Sequence, residues 1–342
     1  EDIEKVSPQL FSNYINNQDV NIIIGGPPCP TFSSIGQPKL QSLGNDVSKD
    51  KRNRLFINFL KYVEFFQPDF FIMENVPNFK TKYNGEIFRA TIDMIHNLNG
   101  NYDVSLPVNI LNAVEYGVPQ NRKRMFLVGH KKDFKFKYPL PTHNLIKKQK
   151  TQINFFDNEL KLQKNITVGE AISDLPNITD NWKVDKVKYS QNKNLSDYQK
   201  LMRKNNTNEV QNNRCRMTNE RAKKLFLHMK QGSKYMDLEP DIRKILPFRE
   251  DIFFDRLKRL DNNKPSWTVI AHIGVDGYMY IHPTENRTLS VREAARLQSF
   301  PDDFIFCGNM QETYTQIGNA VPVILSYKIA TSVLESLQKV KC

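Results

Sequence analysis

The chain has 342 residues, with 49 Lys or Arg against 37 Asp or Glu, a net charge of +12 and 39% hydrophobic residues. That length exceeds one small core and leads us to expect two domains, and the basic surplus favours a polyanionic partner. No apolar run approaches a membrane span, Glu1-Asp2-Ile3-Glu4 lacks the basic-then-apolar order of a secretion signal, and the four cysteines form no Cys-x-x-Cys pair, so neither a zinc motif nor a disulfide framework is expected and an intracellular, reducing setting is.

Taken in order, residues 1–19 give a short amphipathic stretch through Leu10, Phe11, Tyr14 and Ile15. Val20, Ile22, Ile23 and Ile24 then predict a buried strand. It ends at Gly25-Gly26 and opens into Pro27-Pro28-Cys29-Pro30-Thr31-Phe32-Ser33-Ser34. Three prolines restrict their own φ angles and those of the residues before them, so the Cys29 thiol is held on a stiff loop past the carboxyl end of a strand. In open α/β sheets ligands bind at that edge. A lone cysteine is more often a small core residue, but core packing does not require a proline cage.

Phe56, Phe59, Leu60, Val63 and Phe66 repeat at helical spacing, and Gln67-Pro68-Asp69 ends the helix. Phe70-Phe71-Ile72-Met73 reads as a buried strand that runs into Glu74-Asn75-Val76-Pro77, which places a carboxylate at the same sheet edge as Cys29. A helix over 87–98 and a strand over 104–111 follow. Gly117-Val118-Pro119-Gln120-Asn121-Arg122-Lys123-Arg124 then leads into the strand 125–129. This alternation predicts a doubly covered parallel sheet.

From about 139 the chain becomes rich in Lys and Asn; residues 183–204 carry seven Lys or Arg against two Asp. Residues 167–172 and 218–228 look like capped helices, and 267–272 with 277–283 like a hairpin. Ser290 and Glu293 form a capping-box pattern at the start of another helix. A last amphipathic helix is expected over 323–339. We expect an α/β chain with one domain over 1–138 plus 309–342 and a smaller one over 139–308.

A caged thiol, a strand-tip carboxylate and the planar donors of a Gln-x-Arg-x-Arg strand suit nucleophilic attack on a cytosine ring with acid assistance. Separately, Glu74 suits a turn and the two arginines a solvated edge; the constellation is what points to chemistry. The blocks Pro-Cys, Glu-Asn-Val, Gln-x-Arg-x-Arg, Arg-Thr-Leu-Ser-Val-Arg-Glu and Gly-Asn-Ala-Val-Pro, in this order over residues 2–342, resemble the DNA (cytosine-5)-methyltransferase family of restriction–modification systems.

The resemblance implies a Rossmann-like S-adenosyl-L-methionine methyltransferase sheet and a target-recognition domain. Cys29 would add to C6 of a flipped-out cytosine in a specific duplex DNA sequence, Glu74 would contact N3 and the exocyclic amine, Arg124 would hold O2, and Arg122 would position loop and base. No histidine accompanies Cys29 in its motif, so its activation is expected in the substrate complex. Asp2, Ile3, Pro28, Leu55, Asn319 and Ala320 match cofactor-lining positions. Ser33, Gln120, Thr268 and Val269 match DNA-contacting ones. The expected partners are double-stranded DNA and a cognate restriction endonuclease, in a prokaryotic cytoplasm at the nucleoid, with no membrane and no metal.

One departure stands out. The family's Phe-x-Gly-x-Gly cofactor loop should precede residue 2, and no glycine occurs before Gly25. The expected explanation is an N-terminally incomplete chain; the alternatives are a second subunit supplying the motif, or a degenerate protein. The chain by itself is expected to bind cofactor poorly. A tRNA cytosine-5 methyltransferase and a non-catalytic DNA-binding subunit are the competing readings; the long basic insert favours DNA, and intact Cys29, Glu74 and Arg124 favour catalysis.

Overall fold

A computed structural model describes residues 2–27, 55–144, 162–178, 185–189, 194–205, 208–248 and 256–339. Cys29, Pro28 and Ser33 lie outside the described residues. The chain divides into two compact units: 1–112, 123–140 and 328–342 form the first, and 113–122 with 141–327 the second.

The first unit is a sheet with helices. In chain order its elements are α1 (Pro8–Tyr14), β1 (Ile22–Gly25), α2 (Leu55–Phe66), β2 (Phe70–Asn75), α3 (Glu86–His96), β3 (Tyr102–Val104), β4 (Asn109–Asn112) and β5 (Lys123–Lys131). The strand order is β1-β2-β5-β3, with β4 also paired to β5. Only β1 and β2 are parallel; β5 is antiparallel to β2, β3 and β4. The expected all-parallel sheet is therefore corrected to a mixed one. The reason is local: a parallel return needs a crossover of a dozen or more residues, usually a helix, whereas ten residues with one short turn of 3₁₀ helix, Ala113–Tyr116, join β4 to β5. The single strand expected over 104–111 is two short strands.

The apolar spacing in α2 does what its period predicts. Phe56, Phe59, Leu60 and Val63 are buried and share a core with Phe71 and Met73 of β2 and Met125 and Leu127 of β5. Each such side chain contributes about 1.5–3 kcal/mol by leaving water. Gly129 sits opposite Phe71 in the register, and a Cβ there would lie 1.9 Å from the Phe71 ring. Glycine at that position lets the ring cross the neighbouring strand.

β1 departs from the expected buried strand. Ile22 and Ile24 are 39% and 69% exposed, and among the described residues β1 pairs only with β2. Beside it lies an apolar cleft of about 610 Å³, lined by residues that include Ile3, Phe11, Ile23, Leu55 and Phe66.

The second unit is built from short helices: α4 (Val168–Ile172), α5 (Asp197–Arg203), α6 (Glu220–Leu227), α7 (Pro240–Arg243), α8 (Val291–Leu297) and α9 (Met310–Asn319). α10 (Val323–Gln338) then carries the chain from this unit into the first. The capping boxes anticipated at Thr167/Glu170 and Ser290/Glu293 both form. α4, α5, α8 and α9 share one core through Ile172, Tyr198, Leu297, Tyr314 and Ile317, which is why residues 309–327 group here rather than with the first unit. The expected hairpin over 267–283 is absent. Residues Ala271–Gly274 make a 3₁₀ turn, and Tyr280–Ile281 pairs in parallel with Lys258–Arg259.

Buried charge is concentrated at α8. Arg296, fully buried, reaches Asp302 (Nε–Oδ1 2.7 Å, Nη2–Oδ2 2.6 Å) and Asp174 (Nη1–Oδ1 2.8 Å), and donates to the Ala171 carbonyl. Arg203 also pairs with Asp174, and the Tyr189 hydroxyl bonds Asp302. Arg287 forks onto Glu293 and Glu285. Burial by itself would raise the Glu293 carboxyl, but Arg287, His282 and the Ser290 amide hold it down at about 2. Arg296 on α8 and Arg287 just before it thus anchor this helix from within and from its N-terminal side.

Candidate functional site

The site is built where β1 and β2 end side by side. Their register pairs Gly25 with Met73, so the next residues, Gly26 and Glu74, are neighbours. A Cβ on Gly26 would lie 3.1 Å from Glu74 Oε2, so glycine leaves space for the carboxylate three residues before Cys29 in the chain. Asn75 Nδ2 donates to the Pro27 carbonyl at 3.1 Å, tying the exit of β1 to the tip of β2. The sequence reading missed Asn75; the Glu-Asn-Val block was its available signal.

Arg124 enters from β5. Its Nε lies 2.7 Å from Glu74 Oε1, and the two side chains are only 14% and 17% exposed. Burial disfavours the charged guanidinium and lowers its pKa, which the adjacent Glu74 opposes. A largely desolvated ion pair at a sheet edge can present both a carboxylate and planar N–H donors to one ring.

Other expected residues are placed differently. Arg122 is 1% exposed and donates through Nη1 to the Val269 carbonyl (2.6 Å) and through Nη2 to the Gly318 carbonyl (3.0 Å). Arg122, expected to position loop and base, is itself held by these two backbone carbonyls. Gln120 and Val269, both expected to contact DNA, are fully buried, and the Val269 N–H donates to Gln120 Oε1 at 2.8 Å. Each sits where the chain needs its backbone groups satisfied, away from solvent. Thr268 is half-buried and donates its hydroxyl to the Asn121 carbonyl.

Of the expected cofactor-lining residues, Ile3 and Leu55 line the apolar cleft together with Gly25, Gly26 and Pro27. Asp2 is exposed, with a carboxylate oxygen accepting from the Glu4 amide. Asn319 closes α9 and Ala320 is its C-cap; both belong to the second unit. Among the described residues no cluster of three or more His, Cys, Asp or Glu could hold a metal, and no single helix is long and apolar enough to cross a membrane.

The fold matches a solved structure of a prophage-encoded E. coli protein assigned as a DNA modification methyltransferase, with a TM-score of 0.72 and 24% identity over 99% of this chain and 85% of that one. A C-5 cytosine-specific DNA methylase family model matches residues 1–335. Among curated proteins, an Oceanobacillus iheyensis chain assigned as the type II methyltransferase M.OihORF3336P is 35% identical over 98% of this chain and 84% of its own. Type II methyltransferase M.Bpa9945I of Bacillus paralicheniformis is 32% identical over 95% of this chain and 73% of its own. The chain belongs to the C-5 cytosine-specific DNA methylase family. Its activity is that of a DNA (cytosine-5-)-methyltransferase, its relatives are type II methyltransferases of restriction–modification systems, and the family uses S-adenosylmethionine.

Proposed function

We propose that this chain methylates C5 of a flipped-out cytosine within one specific duplex sequence through a covalent bond between Cys29 and C6. The observation that carries this reading is the Glu74–Arg124 pair, 2.7 Å apart and largely out of solvent, beside the glycine pair that leads to Cys29. As the Cys29 thiolate adds to C6, the Glu74 carboxyl gives its proton to N3, so that no net negative charge is left on the ring, and Arg124 donates to O2. The new Sγ–C6 bond makes C5 nucleophilic. S-adenosylmethionine, when bound, supplies an electrophilic methyl group. Loss of the C5 proton to a base and departure of Cys29 as thiolate restore the aromatic ring.

The apolar cleft at Ile3, Gly25, Gly26, Pro27 and Leu55 is compatible with the adenosyl portion of the cofactor, since its apolar lining suits a planar ring. The exposed edge of β1 favours a further element of this reading. Ile22 and Ile24, uncovered on a strand paired along one edge among the described residues, suit a further strand-bearing segment with a glycine-rich turn. The residues 139–308 serve as the target-recognition domain, where surplus Lys and Arg contact phosphates and loop side chains read base edges. The setting is a prokaryotic cytoplasm, in a system with a cognate endonuclease.

Duplex DNA containing 5-fluorocytosine tests the chemistry, because fluorine at C5 blocks the final elimination. With S-adenosylmethionine, wild type should form a denaturation-resistant adduct and Cys29→Ala none. An adduct that survives in Cys29→Ala refutes the assigned nucleophile. Methyl transfer to tRNA but not to duplex DNA refutes the substrate.

A further inference from the structure

The second unit contains a buried polar junction that the chemistry above does not use. Gln298 Nε2 donates to the carbonyls of Ile317 (2.7 Å) and Ala320 (3.2 Å), at the end of α9. Gln298 Oε1 accepts from Gln120 Nε2 at 3.1 Å, and that same nitrogen donates to the Leu297 carbonyl at 2.8 Å. Gln120 Oε1 in turn takes the Val269 N–H. Arg122 makes a second bridge in parallel, with one terminal nitrogen on the Val269 carbonyl and the other on the Gly318 carbonyl. Val269 therefore has both its backbone groups clamped, and 317–320 is held at three carbonyls. All three clamping side chains are fully or almost fully buried.

The backbone closes the junction as tightly as the side chains do. A Cβ on Gly318 would lie 2.2 Å from the Ala271 nitrogen and 2.3 Å from the Ile270 carbonyl carbon. A Cβ on Gly274 would lie 2.4 Å from Thr315 Oγ1 and 2.8 Å from the Gln311 carbonyl oxygen. Glycines at both positions let the 270–274 turn seat directly on α9. Buried amide networks of this kind are costly when half-satisfied, so they favour a single arrangement.

We propose that Gln298, Gln120 and Arg122 are positioning residues that join the Thr268-Val269 segment to 317–320 as one stiff element, so that occupancy on the DNA side orders the cofactor side and the reverse. This rests on the reading of Thr268 as DNA-facing and of Asn319 and Ala320 as cofactor-lining. Because the coupling is a free energy between two ligands, it must act equally in both directions.

Gln298→Met keeps the length and apolar stem of the side chain and removes every bond of the amide. Hydrogen exchange is followed in peptides covering 266–272 and 316–322, with two separate probes: sheared duplex DNA from a host without cytosine-5 methylation, and millimolar S-adenosylmethionine without DNA. In wild type each probe should slow exchange in both peptides, the remote one by about fivefold or more, the lower end of ordinary site-to-site coupling. In folded Gln298→Met each probe should protect only its own side. If that variant fails to fold, Arg122→Lys replaces it, since a single ammonium cannot span both carbonyls as the guanidinium fork does. Remote protection that persists in the variant, or that is missing from wild type while the local protection is present, overturns the coupling. Failure of both probes to protect even their own side in wild type overturns the functional reading and this inference with it.

Discussion

The Glu74–Arg124 pair can be tested through stability without any substrate. Exposed ion pairs contribute about 0–1 kcal/mol, whereas removing one partner of a fully buried pair costs about 3–5 kcal/mol. Here the side chains keep 17% and 14% of their exposure, so the pair lies near the buried limit with some residual hydration. Arg124→Met should therefore cost about 2–3 kcal/mol at pH 7, and Glu74→Gln about 2 kcal/mol, because each leaves its former partner charged and largely desolvated. The double variant leaves neither charge stranded, so it should lose only about 2–3 kcal/mol and not the sum of about 4–5, a coupling of about 2 kcal/mol. Urea unfolding of the four proteins, read through a probe in the first unit, gives the cycle. Losses that add to within about 0.5 kcal/mol would falsify the pairing and remove the geometric basis for placing both groups on one ring.

The buried network at α8 offers a larger effect. Arg296→Met abolishes both of its ion pairs and its bond to the Ala171 carbonyl, leaving Asp302 with Tyr189 and Asp174 with Arg203. A loss of about 3–5 kcal/mol is expected, a fall of about 6–20 °C in the melting temperature of the second unit, and calorimetry showing an unchanged transition would rule it out. Stability should also decline on acidification in two stages. Burial lowers the His282 pKa, so the unfolded chain binds a proton first and stability starts to fall as the pH drops below about 6.5. Glu293 is held at about 2 against an ordinary 4.5, so its contribution, of order 3 kcal/mol, is complete above pH 4.5 and disappears as the pH falls through about 2. Urea midpoints between pH 8 and pH 3 check both stages, and a midpoint that stays flat from pH 7 to pH 5 contradicts the first.

The order of motifs along the chain was enough to identify the family, because the residue types of each block are legible without the fold. Helix faces and caps were legible too: the spacing of Phe56, Phe59, Leu60 and Val63 specified one buried stripe, and Ser290 with Glu293 specified a helix start, since both depend on contacts three or four residues apart. Strand direction was not legible. Whether β5 runs with or against its neighbours depends on how the chain returns from β4 across ten residues, and strand patterns look alike either way. Nor could the sequence separate Arg124 from Arg122, two positions apart in one motif. Only the tertiary structure sent one guanidinium to Glu74 and buried the other against the carbonyls of Val269 and Gly318, because those partners lie 50, 147 and 196 residues away in the chain. Gln120 illustrates the same limit: only packing shows that the amide of this polar residue in a basic motif satisfies buried backbone groups 149 and 177 residues away.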